Sequence, residues 1–392
     1  MKTRILLVAM ADSSHVARWL NNLSNPANLQ ILLIPSSPHR RIQVGITQAI
    51  RSFESKGGEL RVHKLLKVLS LPIWVLDRAQ IFDNRLRSRI IRNSIVAFSP
   101  HLIHVMETQN GGYPLSLALE SISLKGHCKP PVLLTLFGSD IFWYSRFTNH
   151  RKKISALLSQ TDFIAMECER DRRLTLKLGY RGEFLPVSPV ARGINPDQLL
   201  KLTSRDEHLG RSSVAVKGYS GTWGLAHVAI EALGLSKDKL QGMTVEIFSA
   251  EIGAIRAAKK FLSPNGIRYK IYKKGKLSHS EVLELLRRSM FYIGLSRSDG
   301  LPSSMLEAMS QGAIPLQTDT ACLEGWLVNG ENGFAVSIPT PQEVSRLINQ
   351  VFDSPELVRS AREKNLLRIH SNYTLVEGNL GEESIYETLL RK

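Results

Sequence analysis

The chain has 392 residues, 43% hydrophobic and 22% charged, with 51 Lys and Arg against 35 Asp and Glu for a formal charge of +16. That length suggests two domains with ample core, and no apolar run is long enough to span a bilayer. Three widely spaced cysteines, Cys128, Cys168 and Cys322, show neither a pairing pattern nor a zinc spacing, which points to a reducing compartment and away from a disulfide frame.

Ile5 to Met10 reads as a buried first strand. A secretory leader would need a longer apolar run than Ile5 to Ala11 before the polar Asp12, so the strand explains the segment better. The loop Ala11 to Ser14 and a helix from His15 to about Leu23 follow, the opening of a doubly wound domain with ligands near strand C-termini. There is no G-x-G-x-x-G, hence no dinucleotide site here. His15 is either a surface histidine or a polar contact to substrate.

Gln30 to Pro35 is a second strand. Between Arg40 and Arg92 lie 12 Lys and Arg against 4 Asp and Glu, so half of the charge surplus falls in about an eighth of the chain. Residues 60 to 69 mix Arg61, Lys64 and Lys67 with Leu60, Val62, Leu65, Leu66, Val68 and Leu69. These apolar side chains pack, either as a core helix with a solvated basic face or as a contact with an anionic membrane. Helical segments near Arg78 to Ser94 close the basic region.

Leu102 to Met106 is a strand carrying His104, with Glu107 in the loop at its end. His104 is a core histidine or, with Glu107, a substrate contact. Pro131 to Leu136 is the next strand, with Phe137, Gly138, Ser139 and Asp140 behind it. Asp140 is a helix cap for Phe142 onward or a carboxylate for substrate hydroxyls. A strand at Asp162 to Met166, a helix at Glu169 to Leu178 and a strand at Phe184 to Val187 complete this half. Strands alternating with helices predict a parallel sheet.

Leu185 to Asp197, with three prolines and a glycine, reads as a linker. The domains are therefore placed at 1–189 and 190–370, with 371–392 as a closing segment that includes a helix from Gly381 to Leu390. The second alternating series has strands at Val214 to Val216, Val245 to Phe248 and Tyr269 to Tyr272. Ser278 and Glu281 form a capping box for the helix Val282 to Arg288. Helices start at Gln342 and Pro355.

The most informative stretch is Leu295 to Phe334. Met290 to Leu295 is a strand, broken by Asp299 and Gly300. Pro302 stands as a first helical residue, Ser303 to Gln311 is helical, and Gly312 ends the helix. Ile314 to Leu316 is a short strand and Asn329 to Gly333 a turn. The amides near Ser303, Ser304 and Met305 have no intrahelical acceptor and, with the helix dipole, suit a phosphate. Glu307 lies one turn deeper on the same face. A diphosphate on those amides would set a ribose against Glu307 and a sugar against Asp299, the layout of a nucleotide sugar. The plainer alternatives are a capping role for Asp299 and a solvated Glu307. Lys217-Gly218, after a predicted strand, is either a solvated turn or a cation for the same diphosphate.

Asp299, Glu307, Ala308, Met309, Gly312, Pro315, Glu324, Asn332 and Gly333 together resemble the C-terminal signature of the family 4 glycosyltransferases. Many members carry Glu where this chain has Asp299. Lys217-Gly218 stands where that family places such a pair for the donor phosphates. The arginine often found nearby has no matching place: Arg211 lies upstream, and Leu225 follows Gly224 where some relatives have Gly-Arg. TLFGSD resembles the family's Thr-x-His-Gly-x-Asp loop, with Phe137 at the histidine position.

The resemblance implies an α/β protein of GT-B architecture, two Rossmann-like domains facing a central cleft, with the last helix returning to the first domain. It implies a retaining, hexosyltransferase-like enzyme that takes a nucleotide-sugar donor and a glycan or lipid-linked acceptor, as in polysaccharide biosynthesis. Catalysis would fall to Asp299, Glu307 and Lys217, and donor binding to Gly218, Gly300, Ser303, Ser304, Met305 and Glu307. His15, His104, Glu107 and Asp140 are the candidate acceptor-side contacts. No D-x-D occurs, so neither a metal nor another cofactor is expected. The expected place is the cytoplasm, with the basic region as a peripheral contact to the inner face of the membrane. The rival readings are a sugar-nucleotide epimerase or hydrolase of similar fold and a basic nucleic-acid-binding protein. The second lacks an interleaved aromatic platform or zinc-finger spacing, and no nucleic-acid partner is expected.

Overall fold

The structure is a computed structural model and describes residues 2–23, 26–36, 42–63, 84–124, 128–189, 193–194, 196–199, 211–373, 386 and 389–390. The chain divides into two compact units, Met1–Arg192 with Val376–Lys392, and Gly193–Leu375. The second boundary lies beyond the expected 370 because the helix Pro355–Asn372 belongs to the second unit and runs that far.

The first unit holds a seven-stranded parallel sheet in the order β3-β2-β1-β4-β5-β6-β7. Its strands are β1 (Thr3–Ala9), β2 (Leu29–Pro35), β3 (Glu59–Val62), β4 (Leu102–Met106), β5 (Val132–Thr135), β6 (Phe163–Ala165) and β7 (Glu183–Phe184). β1 is central: Ile5 pairs with Ile31 on one side and Leu102 on the other. Its side chains alternate between two cores, Leu6 and Val8 in one, Ile5, Leu7 and Ala9 in the other. This explains why the strand reads as continuously apolar.

Three expectations change here. Glu59–Val62 is an edge strand, so the basic-apolar run does not begin as a helix; residues 64–83, with Lys64 and Lys67, lie outside the described residues. Arg61, its side chain 76% exposed, pairs with Glu59. The expected strand at Phe184 to Val187 shrinks to the two residues of β7. The closing helix falls mostly outside the described residues, but Tyr386 and Leu389 are buried in the core that contains Ile5 and Leu7. Cys128 is a free, exposed thiol, whereas Cys168 and Cys322 are buried and neither is a free thiol, which corrects the expectation of three unpaired cysteines.

The second unit holds six parallel strands in the order β10-β9-β8-β11-β12-β13. They are β8 (Ser213–Lys217), β9 (Thr244–Ala250), β10 (Arg268–Lys273), β11 (Ser289–Gly294), β12 (Ile314–Thr318) and β13 (Phe334–Val336). The helix Ala226–Leu235 was not foreseen. Ala226, Val228, Ala229, Ile230, Ala232 and Leu233 are all buried, so it shows no polar stripe by which a surface helix is recognised.

In each unit the strand order reverses beside the first strand, between β1 and β4 and between β8 and β11. Ligands of open α/β sheets bind outside the carboxyl ends of the strands at such a point. In the second unit that point is marked by Lys217 and the segment after Gly294. In the first it is marked by the loop after Ala9 and by Glu107.

Candidate active site

Lys217 is the last residue of β8, and the chain turns directly behind it. The Gly218 N–H donates to the Phe248 carbonyl at 2.8 Å, and its carbonyl accepts from Glu251 at 2.9 Å. A Cβ at Gly218 would lie 2.6 Å from the Ala250 Cα, so the close approach to β9 requires glycine. The following loop is tied to the end of β11. Leu225 N–H donates to Leu295 at 2.9 Å and Arg297 N–H to Trp223 at 2.8 Å, and Gly224 bridges to Ser296.

These ties bring Lys217 Nζ to 3.8 Å from Asp299 Oδ2. The ammonium also lies 4.5 Å from the centre of the Tyr219 ring, a favourable cation–π placement. Burial alone would lower the Lys217 pKa. The negative charge of Asp299 and the groups on Tyr292, Tyr219 and Glu307 outweigh it and hold the pKa above its ordinary value. Lys217 is therefore a permanent cation at neutral pH. Arg211 is not a second one at this place: it lies before β8, where its guanidinium donates to the carbonyls of Ser289 and Gln311 at 2.6 and 2.7 Å.

The helix Ser303–Ser310 starts one residue later than the sequence suggested, with Pro302 as its cap at φ −71° and ψ 106°. Asp299 does not cap it; its Oδ1 accepts from the Gly300 N–H at 3.0 Å. The Met305 N–H donates to the Pro302 carbonyl at 2.9 Å. Met305 is thus withdrawn from the phosphate-binding set, because its amide closes the first turn. The Ser303 and Ser304 N–H groups meet no backbone acceptor among the described residues. The Ser304 hydroxyl lies 2.9 Å from that of Tyr292. Burial pushes the Tyr292 phenol up to about 12, against the opposing charge of Lys217.

Glu307 is 6% exposed and so is not a solvated helix residue. Its Oε1 lies 3.0 Å from Nε2 of His279, the first residue of the helix His279–Arg287. The predicted capping box fixes that helix start: Ser278 Oγ accepts from Glu281 N–H at 3.3 Å, and Glu281 accepts from Ser278 N–H at 2.7 Å. Nothing in the local sequence singles out His279. The tail of the signature is structural. Asn332 is 1% exposed, accepts from Val328 N–H at 2.7 Å and donates to the Trp326 carbonyl at 2.9 Å. Gly333 passes so close to Pro315 that a Cβ would sit 2.6 Å from its carbonyl oxygen.

The first unit gathers its candidates at its own switch point. Glu107 follows β4 at φ 92° and ψ 152°, a conformation costly for any residue with a Cβ. Its carboxylate accepts from Ser36 Oγ at 2.8 Å and Asn110 Nδ2 at 3.0 Å. Burial pushes its pKa up to about 7 in spite of those bonds and of Arg87. Arg87 itself donates to the carbonyls of Ser36 and Asn110, so this part of the basic surplus holds a loop. Asp140 is 5% exposed, accepts from Phe137 N–H through Oδ1 and leaves Oδ2 buried with no hydrogen-bond partner among the described residues. Burial, and then the charge of Asp171, push it up to about 7. It sits inside the short helix Ser139–Phe142, which Gly138 caps. The rings of His15 and Phe137 lie 5.8 Å apart.

His104 does not belong with them. It is fully buried, with Nδ1 at 2.9 Å from the Tyr386 hydroxyl and Nε2 at 2.8 Å from Thr135 Oγ1. Burial depresses its pKa to about 3. It is a satisfied core histidine, which corrects its assignment as a substrate contact.

Residues 226–367 match the model of the family described as Glycosyl transferases group 1. The curated protein named "Putative glycosyltransferase EpsD", of Bacillus subtilis (strain 168), is 27% identical over 211 residues, which cover 50% of this chain and 49% of that protein. The match therefore spans about half of that relative's length. Among solved structures, Anabaena Alr3699/HepE in complex with UDP aligns over 100% of both chains with a TM-score of 0.65 and 13% identity. A glycosyltransferase from Rickettsia africae ESF-5 covers 100% and 99% of the two chains with a TM-score of 0.66 and 14% identity. Sucrose-phosphate synthase from Thermosynechococcus elongatus covers 100% and 98% with a TM-score of 0.66 and 11% identity. At these identities the likeness is one of fold. Residues 226–367 are thus similar to the group 1 glycosyl transferases, and the chain has the GT-B fold of two Rossmann-like α/β units.

Proposed function

We propose that this chain is a retaining glycosyltransferase of family 4, hexosyltransferase-like, that moves a sugar from a nucleotide-diphosphate sugar to a glycan or lipid-linked acceptor without a metal. The arrangement around Lys217 carries the reading: a cation 3.8 Å from Asp299, with the Ser303 and Ser304 amides at a helix start and a buried Glu307 one turn deeper. The Anabaena protein has been crystallised with UDP, with UDP and glucose, and with UDP-glucose, which supports a donor of this class.

In this reading the diphosphate lies against Lys217 and the two amides, beside Gly218 and Gly300. The ribose meets Glu307 and the sugar meets Asp299. As the bond from the anomeric carbon to the diphosphate breaks, negative charge grows on the leaving oxygen. Lys217 and the fixed amides stabilise that charge without reorganising, the part a metal plays elsewhere. His15, Glu107 and Asp140 are the acceptor-side contacts, suited to hydroxyl groups. The positive surplus of the first unit supports a contact with the anionic inner face of the membrane, and no helix of the described residues is long and apolar enough to cross one.

A thermal-shift screen with UDP, GDP and ADP tests the donor site. The matching ligand at a hundred times its Kd is expected to add about 2.7 kcal/mol of apparent stability. No shift with any of them would end the reading. Transfer is expected to survive EDTA; activity lost to chelator and restored by a metal would overturn the metal-free part.

Asp299→Asn separates sugar from nucleotide. The variant is expected to bind the free nucleoside diphosphate within about twofold of the native protein and to lose transfer by about tenfold or more. Calorimetry and a transfer assay on the same preparation decide it. Equal losses in both would place Asp299 on the diphosphate instead.

A further inference from the structure

Glu307 and His279 belong to two helices that pack on each other, Ser303–Ser310 and His279–Arg287. The Glu307 side chain is 8% exposed and that of His279 39%. A carboxylate taken this far out of water needs hydrogen-bond donors. A carboxylate oxygen only accepts, so at 3.0 Å the His279 Nε2 carries the proton and donates it, whether the ring is neutral or charged. The backbone that carries the ring is held in place. His279 is the first residue after the Ser278 cap, the reciprocal Ser278–Glu281 bonds fix that cap, and Leu283, Leu285 and Leu286 are buried behind it.

We propose that His279 is a positioning residue for the donor's ribose. By holding Glu307 Oε1, it sets the carboxylate plane so that the 2′- and 3′-hydroxyls of a ribonucleoside diphosphate are both received. This rests on the donor-site reading above and extends it to a residue outside the signature stretch. A diol donates two O–H groups and needs a carboxylate held in one orientation. A carboxylate that lacks this bond is oriented less firmly and receives both hydroxyls less well, and a 2′-deoxyribose loses little by that change. His279 therefore acts on the choice between ribose and deoxyribose rather than on affinity alone.

The test is calorimetric titration of UDP, GDP and ADP and their 2′-deoxy counterparts into the native chain, His279→Ala and His279→Gln. The native chain is expected to bind one of the ribonucleotides at least tenfold more tightly than its deoxy form. His279→Ala should reduce that preference by about tenfold. His279→Gln, whose side-chain amide also donates, should restore most of it. His279→Gln should melt with the native chain, whereas His279→Ala, which leaves the buried carboxylate short of a donor, should melt lower, and binding is compared well below both transitions. A preference unchanged in His279→Ala overturns the proposal and leaves the donor site standing. Tighter ribonucleotide binding by His279→Ala also overturns it, because the ring would then compete with the ribose. A native chain that binds with no ribose preference overturns it as well. A native chain that binds none of the six ligands removes the donor-site reading and this inference with it.

Discussion

Lys217→Ala is expected to lower kcat by about 10²–10³-fold while weakening the intact donor by less than about tenfold. The asymmetry follows from where the charge develops. In the bound donor the diphosphate charge is spread over several oxygens, and in the transition state it concentrates on the leaving one. A fixed ammonium at the end of β8 gains most from that change. Asp299, 3.8 Å away, helps keep it protonated, so the effect should persist at every pH at which the protein stays folded. Single-turnover kinetics for kcat and calorimetry for the donor measure the two quantities separately. Equal losses in both would reduce Lys217 to an ordinary binding contact.

Glu307→Gln is expected to cost about 1.5–3 kcal/mol of affinity for donor and free nucleoside diphosphate alike, or roughly 10- to 150-fold in Kd. The shape of the side chain is kept, and the Gln carbonyl can still accept from His279, so the variant should fold normally. What it loses is the charge that strengthens both bonds to the ribose diol. Titration of the nucleoside diphosphate into the folded variant measures the loss. An unchanged Kd would take Glu307 out of the binding site and return it to a purely structural role beside His279.

The stretch from β11 to Gly333 was legible because its signals are local. Breakers at Gly300, Pro302 and Gly312 bound a helix, and short apolar runs bound β11 and β12. The spacing of Asp299 and Glu307 then placed two carboxylates around one helix start. Less local facts were hidden. Met305's amide is taken up by the Pro302 carbonyl, a tight bond across three residues at the helix start that propensity does not resolve. The capping box was legible, although the helix it opens starts at His279 and not at the expected Val282, and only the packing of two helices brings that ring to a carboxylate 28 positions away. His104 looked usable at a strand end, yet its partner Tyr386 lies 282 positions downstream. The edge strand β3 was hidden because four residues in a basic setting show too little alternation to declare themselves. The helix Ala226–Leu235 was hidden for the opposite reason, having apolar residues on nearly every face.

The position of Tyr386 has a consequence for the order in which this protein is made. Its ring completes the core around Ile5, Leu7 and Trp19, and its hydroxyl lies 2.9 Å from His104 and 3.2 Å from the Trp19 indole nitrogen. In the chain it follows the whole of the second unit. The ribosome therefore delivers the first sheet, then all of Gly193–Leu375, and only afterwards the residue that closes the first core. At about 5–20 residues per second, the roughly 200 residues between β7 and Tyr386 correspond to about 10–40 s. For that interval the core around Ile5 and Leu7, already lined by Val16, Trp19, Ile46 and Phe53, lacks Tyr386, and His104 waits without one of its two partners. The core of the first unit is therefore completed only after the whole of the second unit has been translated.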